Sequence, residues 1–112
     1  MNSIMYLACF VFISLGVNAQ ESDLQSIAEK SKETSTIISQ ELNFDNDRSI
    51  LLQRAIYSVA LSYQRAEKQL ADKPEKLKET KKMINESFPK YLSGNFSETE
   101  IAQIEELMKK IE

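Results

Sequence analysis

The sequence predicts an all-α fold: three or four antiparallel helices, in an open bundle or as helical hairpins, after a cleaved signal peptide. Three observations carry this reading. Beyond residue 20, apolar residues recur at spacings of three and four, the repeat of one helix face. Over the same stretch Gly94, Pro74 and Pro89 are the only glycine and prolines, whereas strand-built domains need such turn residues at short intervals. No low-complexity linker divides the chain, so residues 20–112 are read as a single helical domain.

The leader comes first. Residues Ile4 to Val17, IMYLACFVFISLGV, are apolar and uncharged. A transmembrane helix needs about 20 such residues, and this shorter run has the length of a signal-peptide core. Val17-Asn18-Ala19 supplies a small-residue boundary before the polar Gln20-Glu21. Residues 1–19 are therefore expected to be a signal peptide cut after Ala19. The alternative is an uncut N-terminal anchor, kept open by the absence of Lys or Arg before the apolar run. Cys9, the one cysteine, lies inside that run, not after it where a lipid-bearing cysteine would stand. The 93 residues after the cut contain no thiol and form no disulfide. Small animal secreted domains usually lean on disulfides, so a bacterial periplasmic or secreted location is expected.

The first helical segment spans about Ser22 to Leu42. Leu24, Ile27, Ala28, Ile38 and Leu42 make its apolar face, interrupted by Ser31, Thr34 and Ser35. The run Thr34-Ser35-Thr36-Ile37-Ile38-Ser39 is a mediocre helix former, so this segment reads as a helix or a loosely docked arm.

The second segment is the strongest. Asn43 or Asp45 can cap it, and Asp45 and Asp47 put negative charge at its positive end. Leu52, Ile56, Val59, Tyr63, Ala66 and Leu70 then recur at spacings of four and three, a heptad seam. Ile50, Leu51, Ala55, Tyr57, Ala60 and Leu61 widen that seam enough to meet more than one neighbouring helix. Ending near Asp72, the helix would be about 39 Å long.

The third segment opens on Pro74, which suits a first turn because its missing N–H has no intrahelical partner there. Leu77, Ile84, Phe88 and Tyr91 line one face, with Met83 and Leu92 beside it. Pro89 should kink the helix or end it near Phe88, because it removes the bond to Asn85, and Gly94 is the expected stop. The fourth segment starts with Ser97-Glu98-Thr99-Glu100, a capping box in which the Ser97 hydroxyl and the Glu100 carboxylate each accept from the other's backbone N–H. Phe96 can staple onto Ile101. Ile101, Ile104, Met108 and Ile111 follow on one face, and Lys109 and Lys110 suit the last turn.

Charge is unevenly spread. Residues 20–47 carry 2 basic and 7 acidic groups, residues 48–93 carry 10 and 5, and residues 94–112 carry 2 and 5. A net charge of −3 excludes a dedicated nucleic-acid binder, which needs a concentrated basic footprint over the whole domain. The acidic ends are expected to neutralise the basic middle within the fold or across a dimer. The basic middle could also meet an acidic ligand or surface.

Chemistry is hard to find. The chain has no His, the commonest general base and metal ligand. Its serines lack a base to activate them, and no glycine-rich elbow or phosphate loop is present. Glu105-Glu106 and Asp45-Asp47 are carboxylate pairs of the ordinary helix-start and solvated-face kind. Asn43-Phe44-Asp45-Asn46-Asp47 has oxygens for a cation but lacks the glycine of a calcium loop. Asn85-Glu86-Ser87 and Asn95-Phe96-Ser97 match the glycosylation pattern, which matters only in a eukaryotic source. Tyr57, Tyr63 and Tyr91 sit at helical spacings that suit a core. The sequence thus predicts no enzyme, no cofactor, no catalytic residue and no metal site.

Two stretches carry a resemblance. Leu42-Asn43-Phe44-Asp45-Asn46 and Phe96-Ser97-Glu98-Thr99-Glu100 each show an apolar residue, a capping side chain, two variable positions and a polar one at a helix start. In this the chain resembles the small periplasmic helical proteins with LTxxQ motifs, the Spy and CpxP type. The departures are Asn or Ser for Thr, and Asn or Glu for Gln. The resemblance implies a dimeric, ATP-independent periplasmic binder of unfolded or misfolded clients.

The expected function is an exported helical binding protein, chaperone-like towards apolar or unfolded protein segments. The alternative is a secreted interaction protein (an inhibitor, immunity factor or effector) with one specific protein partner. The candidate apolar partner surface is Ile50, Leu52, Ile56, Tyr57, Val59, Leu61, Tyr63 and Leu70. A homodimer is expected through it, provided that the first segment leaves it uncovered. Neither nucleic acid nor stable membrane insertion after signal cleavage is expected.

Overall fold

A computed structural model describes the backbone of residues 7–111 and the side chains of residues 23–111. The leader and its cleavage boundary thus fall outside the described side chains. The described chain is all-α: α1 (Leu7–Leu42), α2 (Asn46–Gln69), α3 (Pro74–Leu92) and α4 (Glu98–Ile111). Packed between α1 and α3 is α2, and α4 rests chiefly on α1. Among the described residues no helix is long and apolar enough to cross a membrane.

The α1–α2 hairpin is antiparallel. Its open end is marked by the Lys68 Nζ–Asp23 Oδ2 ion pair at 3.2 Å. Its closed end is a three-residue turn. There Asn43 takes a left-handed backbone, φ 59°, and the Phe44 N–H bonds back to the Ser39 carbonyl at 2.9 Å. This is a Schellman stop in which Asn stands where glycine is commonest. Asp45 then caps α2, its Oδ1 accepting from the Arg48 N–H at 2.9 Å. Of the two capping candidates, Asp45 starts α2 and Asn43 ends α1.

α1 is no loose arm. Ile38 is fully buried, and Ser31, Thr34, Ser35 and Ser39 are buried with it. Two of these four hydroxyls fold back on their own helix. Ser31 Oγ donates to the Ile27 carbonyl at 2.7 Å and Ser35 Oγ to that of Lys32 at 3.2 Å, the back-bonding open to Ser within a helix. Small side chains let two helix backbones approach closely, so the polar run that weakens α1 as an isolated helix suits it as a packed one.

α2 ends at Gln69, slightly before the Asp72 expected, and Leu70 is its C-cap. α3 starts at Pro74 and continues through Pro89 to Leu92. Pro89 falls in the final turn, so the bond it forgoes to the Asn85 carbonyl is lost with only three helical residues beyond it. Gly94 is not left-handed; the chain turns instead through Phe96 N–H to Leu92 O at 3.0 Å. The α4 capping box is formed. The Glu100 N–H donates to Ser97 Oγ at 3.1 Å, and the Ser97 N–H donates to Glu100 Oε1 at 2.9 Å.

The core draws on every helix and the turns between them: Ile38, Leu52, Ile56, Val59, Phe88, Leu92, Phe96 and Ile104 are buried together. Leu107, Met108 and Ile111 pack partly against it. Each fully buried aliphatic side chain contributes about 1.5–3 kcal/mol.

Candidate binding groove

Between α1, α2 and the end of α4 runs an apolar groove of about 220 Å³, walled by Ile27, Thr34, Ala60, Met108 and Ile111, with Ile56 and Val59 beneath. Val59, Tyr63 and Met108 also line a wider depression of about 500 Å³ that reaches α3 at Asn85 and Phe88. The two form one channel divided by Tyr63 and Met108. α4 creates it: Ile104 is fully buried, while Met108 and Ile111, one and two turns on, are only partly covered. Lys30, Glu105 and Lys109 stand on the channel's margins, so its chemistry is that of an apolar slot with a charged rim. Methionine suits such a wall, because its unbranched thioether repacks around ligands of different shape.

The structure divides the eight surface residues expected from sequence. Leu52, Ile56 and Val59 are no more than 8% exposed. They are core positions, because α1 and α4 close over the seam, and of these only Ile56 and Val59 reach the groove, as its floor. Tyr63 is half-buried in the dividing wall and donates its hydroxyl to Asn85 Oδ1. That bond also engages the side chain of the first glycosylation pattern. Leu70 is half-buried at the end of α2. Ile50 is exposed and Tyr57 and Leu61 are half-buried. Spacings of seven and four put these three on the side of α2 turned away from the Leu52–Ile56–Val59–Tyr63 seam.

Sequence reasoning missed the groove's walls. Ile27, Met108 and Ile111 were legible only as members of apolar faces, and nothing in their spacing says that the faces part there. A second cluster was missed as well. The Arg48 guanidinium lies 4.6 Å from the Phe44 ring centroid and 4.7 Å from that of Phe96. The two rings are 5.0 Å apart and tilted. Arg48 also forms an ion pair with Glu100 Oε1. The hydrogen bond from Arg48, and then that from the Ser97 backbone, hold the Glu100 carboxyl below its ordinary range. The cluster brings together the two stretches that carried the LTxxQ resemblance. Only the second caps as that pattern requires, since in the first the cap is Asp45 and not Asn43.

Among the described residues no group of three carboxylates or thiols stands close enough to hold a metal. No family model, curated protein or solved structure matches the chain.

Proposed function

We propose that this chain is an exported helical binding protein whose groove takes up apolar, unfolded protein segments. The observation that carries the reading is the channel itself, an apolar slot held open between packed helices and walled by Met108 and Ile111. A slot of this kind buries side chains of many shapes but offers few polar groups to select among them. Export is supported by the apolar leader, Ile4 to Val17, and by the small-residue boundary at Val17-Asn18-Ala19.

The test is suppression of aggregation of a chemically unfolded model client, with an apolar dye as a second probe. The wild-type chain should suppress aggregation at near-stoichiometric amounts. Ala60→Phe places a ring in the groove from a half-buried position. It should abolish both suppression and dye binding while leaving helicity unchanged. Equal suppression by Ala60→Phe, or none by the wild type, would overturn the reading.

A further inference from the structure

The groove is small for a protein segment. It holds about 220 Å³, below the roughly 300–1,000 Å³ of sites that enclose a small molecule. The wider depression beside it holds about 500 Å³, but Tyr63 and Met108 stand between the two. A segment laid along the whole channel needs that divide parted. Tyr63 is held in place by its bond to Asn85 of α3. Met108 belongs to α4, and α4 is held differently from the other helices. α1 and α2 are joined at one end by the turn through Asn43 and at the other by Lys68–Asp23. Tyr63–Asn85 and the Lys81 Nζ–Glu67 Oε2 ion pair at 3.0 Å tie α2 to α3. The polar tie of α4 is at its first turn, Arg48–Glu100, beside the contact between the Phe44 and Phe96 rings. Among the described residues, no side chain from Ile101 to Ile111 makes an ion pair or hydrogen bond with another helix. The apolar grip of α4 also weakens along its length: Ile104 is fully buried, whereas Leu107, Met108 and Ile111 are only partly covered. Hollows flank it on both edges. The groove lies on the α1 side, and on the α3 side lie the wider depression and a third hollow of about 320 Å³ along Pro89, Ser93, Ile101 and Ala102. The Ser93–Ser97 turn that leads into α4 has no left-handed residue to lock it, unlike the Asn43 stop between α1 and α2.

We infer that α4 is the lid of the groove. Anchored by Phe96, Glu100 and Ile104, it swings its Met108–Ile111 end away from α1 and α2 to admit an apolar segment, and it closes when the groove is empty. This inference rests on the groove reading proposed above. Ile111 stands about 10 Å along the helix axis from Ile104, so a modest tilt about the anchored end moves the wall by the width of a side chain. Little opposes the tilt: partly buried apolar contacts separate, and no side-chain hydrogen bond or ion pair between helices is broken. Opening uncovers Ile56 and Val59 on the groove floor. Apolar side chains of the incoming segment then take over the burial that Met108 and Ile111 give up, so the ligand favours the open form by its own contacts. The thioether of Met108 suits it to both positions.

The experiment uses the full chain with its native thiol removed, Cys9→Ser, and two thiols introduced, Lys30→Cys and Lys110→Cys. Lys30 borders the groove from α1, and Lys110 is exposed beside Ile111 on α4. A short reducible cross-linker between them should hold the lid shut. Suppression of aggregation of the chemically unfolded client should then be lost with helicity unchanged, and reduction of the link should restore it. Suppression that survives the cross-link would overturn the lid while leaving the groove reading intact. Spin labels on the same two thiols read the motion itself. A second, longer distance should stand beside the closed one, and added client should raise its share. A single distance that client leaves unchanged would also overturn the inference. The groove reading fails separately, through a wild type that suppresses nothing or an Ala60→Phe variant without effect, and the distances in the client-free chain still decide the lid in that case.

Discussion

Removing the Ser97 hydroxyl should cost about 1 kcal/mol, the usual worth of a helix N-cap, because the Glu100 N–H loses its acceptor. Chemical denaturation of Ser97→Ala against wild type measures it, and an unchanged midpoint would mean that the cap is idle in solution. Glu100 adds a pH dependence. Its carboxyl is held below the ordinary value of 4.5, first by Arg48 and then by the Ser97 backbone, so the folded form favours the ionised group. That contribution is present above the ordinary carboxylate range and is lost as pH falls through the lowered folded value. Glu100→Gln should therefore melt below wild type at neutral pH, and the gap should close in acid. At Asn43 the left-handed backbone disfavours side chains branched at Cβ. Asn43→Gly should be neutral or stabilising, while Asn43→Val should cost about 1–2 kcal/mol; equal melting of the two would remove the Schellman stop as the reason for Asn.

At the scale of elements, α1 separates propensity from packing. Ser31, Thr34, Ser35 and Ser39 weaken the isolated helix yet form its most buried face. Ser39 Oγ is buried with no hydrogen-bond partner, and a buried polar group left unmade destabilises a fold by about 1–3 kcal/mol. Ser39→Ala should then raise the melting temperature, whereas Ser39→Leu should lower it by overpacking the hairpin. A stabilised Ser39→Leu would show that α1 docks with space to spare. The long seam of α2, the Pro74 start of α3 and the capping box of α4 were legible in sequence because each depends on neighbours within four residues. Passage of α3 through Pro89, and the turn that leaves Gly94 with ordinary dihedrals, were not. Both depend on where along a helix the strain falls and on how the next helix is held.

For the whole molecule, the seam expected to hold a dimer is closed from within by α1 and α4. The homodimer that the heptad pattern suggests has Ile50, Tyr57 and Leu61 left to build on, with Arg54 and Arg65 on their flank. Like charges brought together across a twofold repel, and salt screens that repulsion. Self-association through this stripe should therefore strengthen as ionic strength rises, and sedimentation equilibrium at low and high salt reads it directly. A dimer that weakens with salt would place the interface elsewhere. The groove makes a further expectation. Exchange of backbone amides in α4 should be slow around Ile104 and faster from Met108 onward, because burial falls away along the helix.

Sequence alone determined the helical class, the starts of α2, α3 and α4 and the absence of histidine chemistry, because periodicity, capping side chains and composition are local properties. It also marked Ile50, Tyr57 and Leu61 as apolar residues beyond the needs of one seam. Only the tertiary structure decided which apolar residues are core and which are surface. Leu52 and Ile50 are two residues apart on one helix and equally apolar, yet one is fully buried and the other exposed. The difference lies in where α1 and α4 come to rest. Burial is a property of what packs on a face, and the partners of α2 are set by helices that lie as far as 52 residues away in sequence, as Arg48 and Glu100 show.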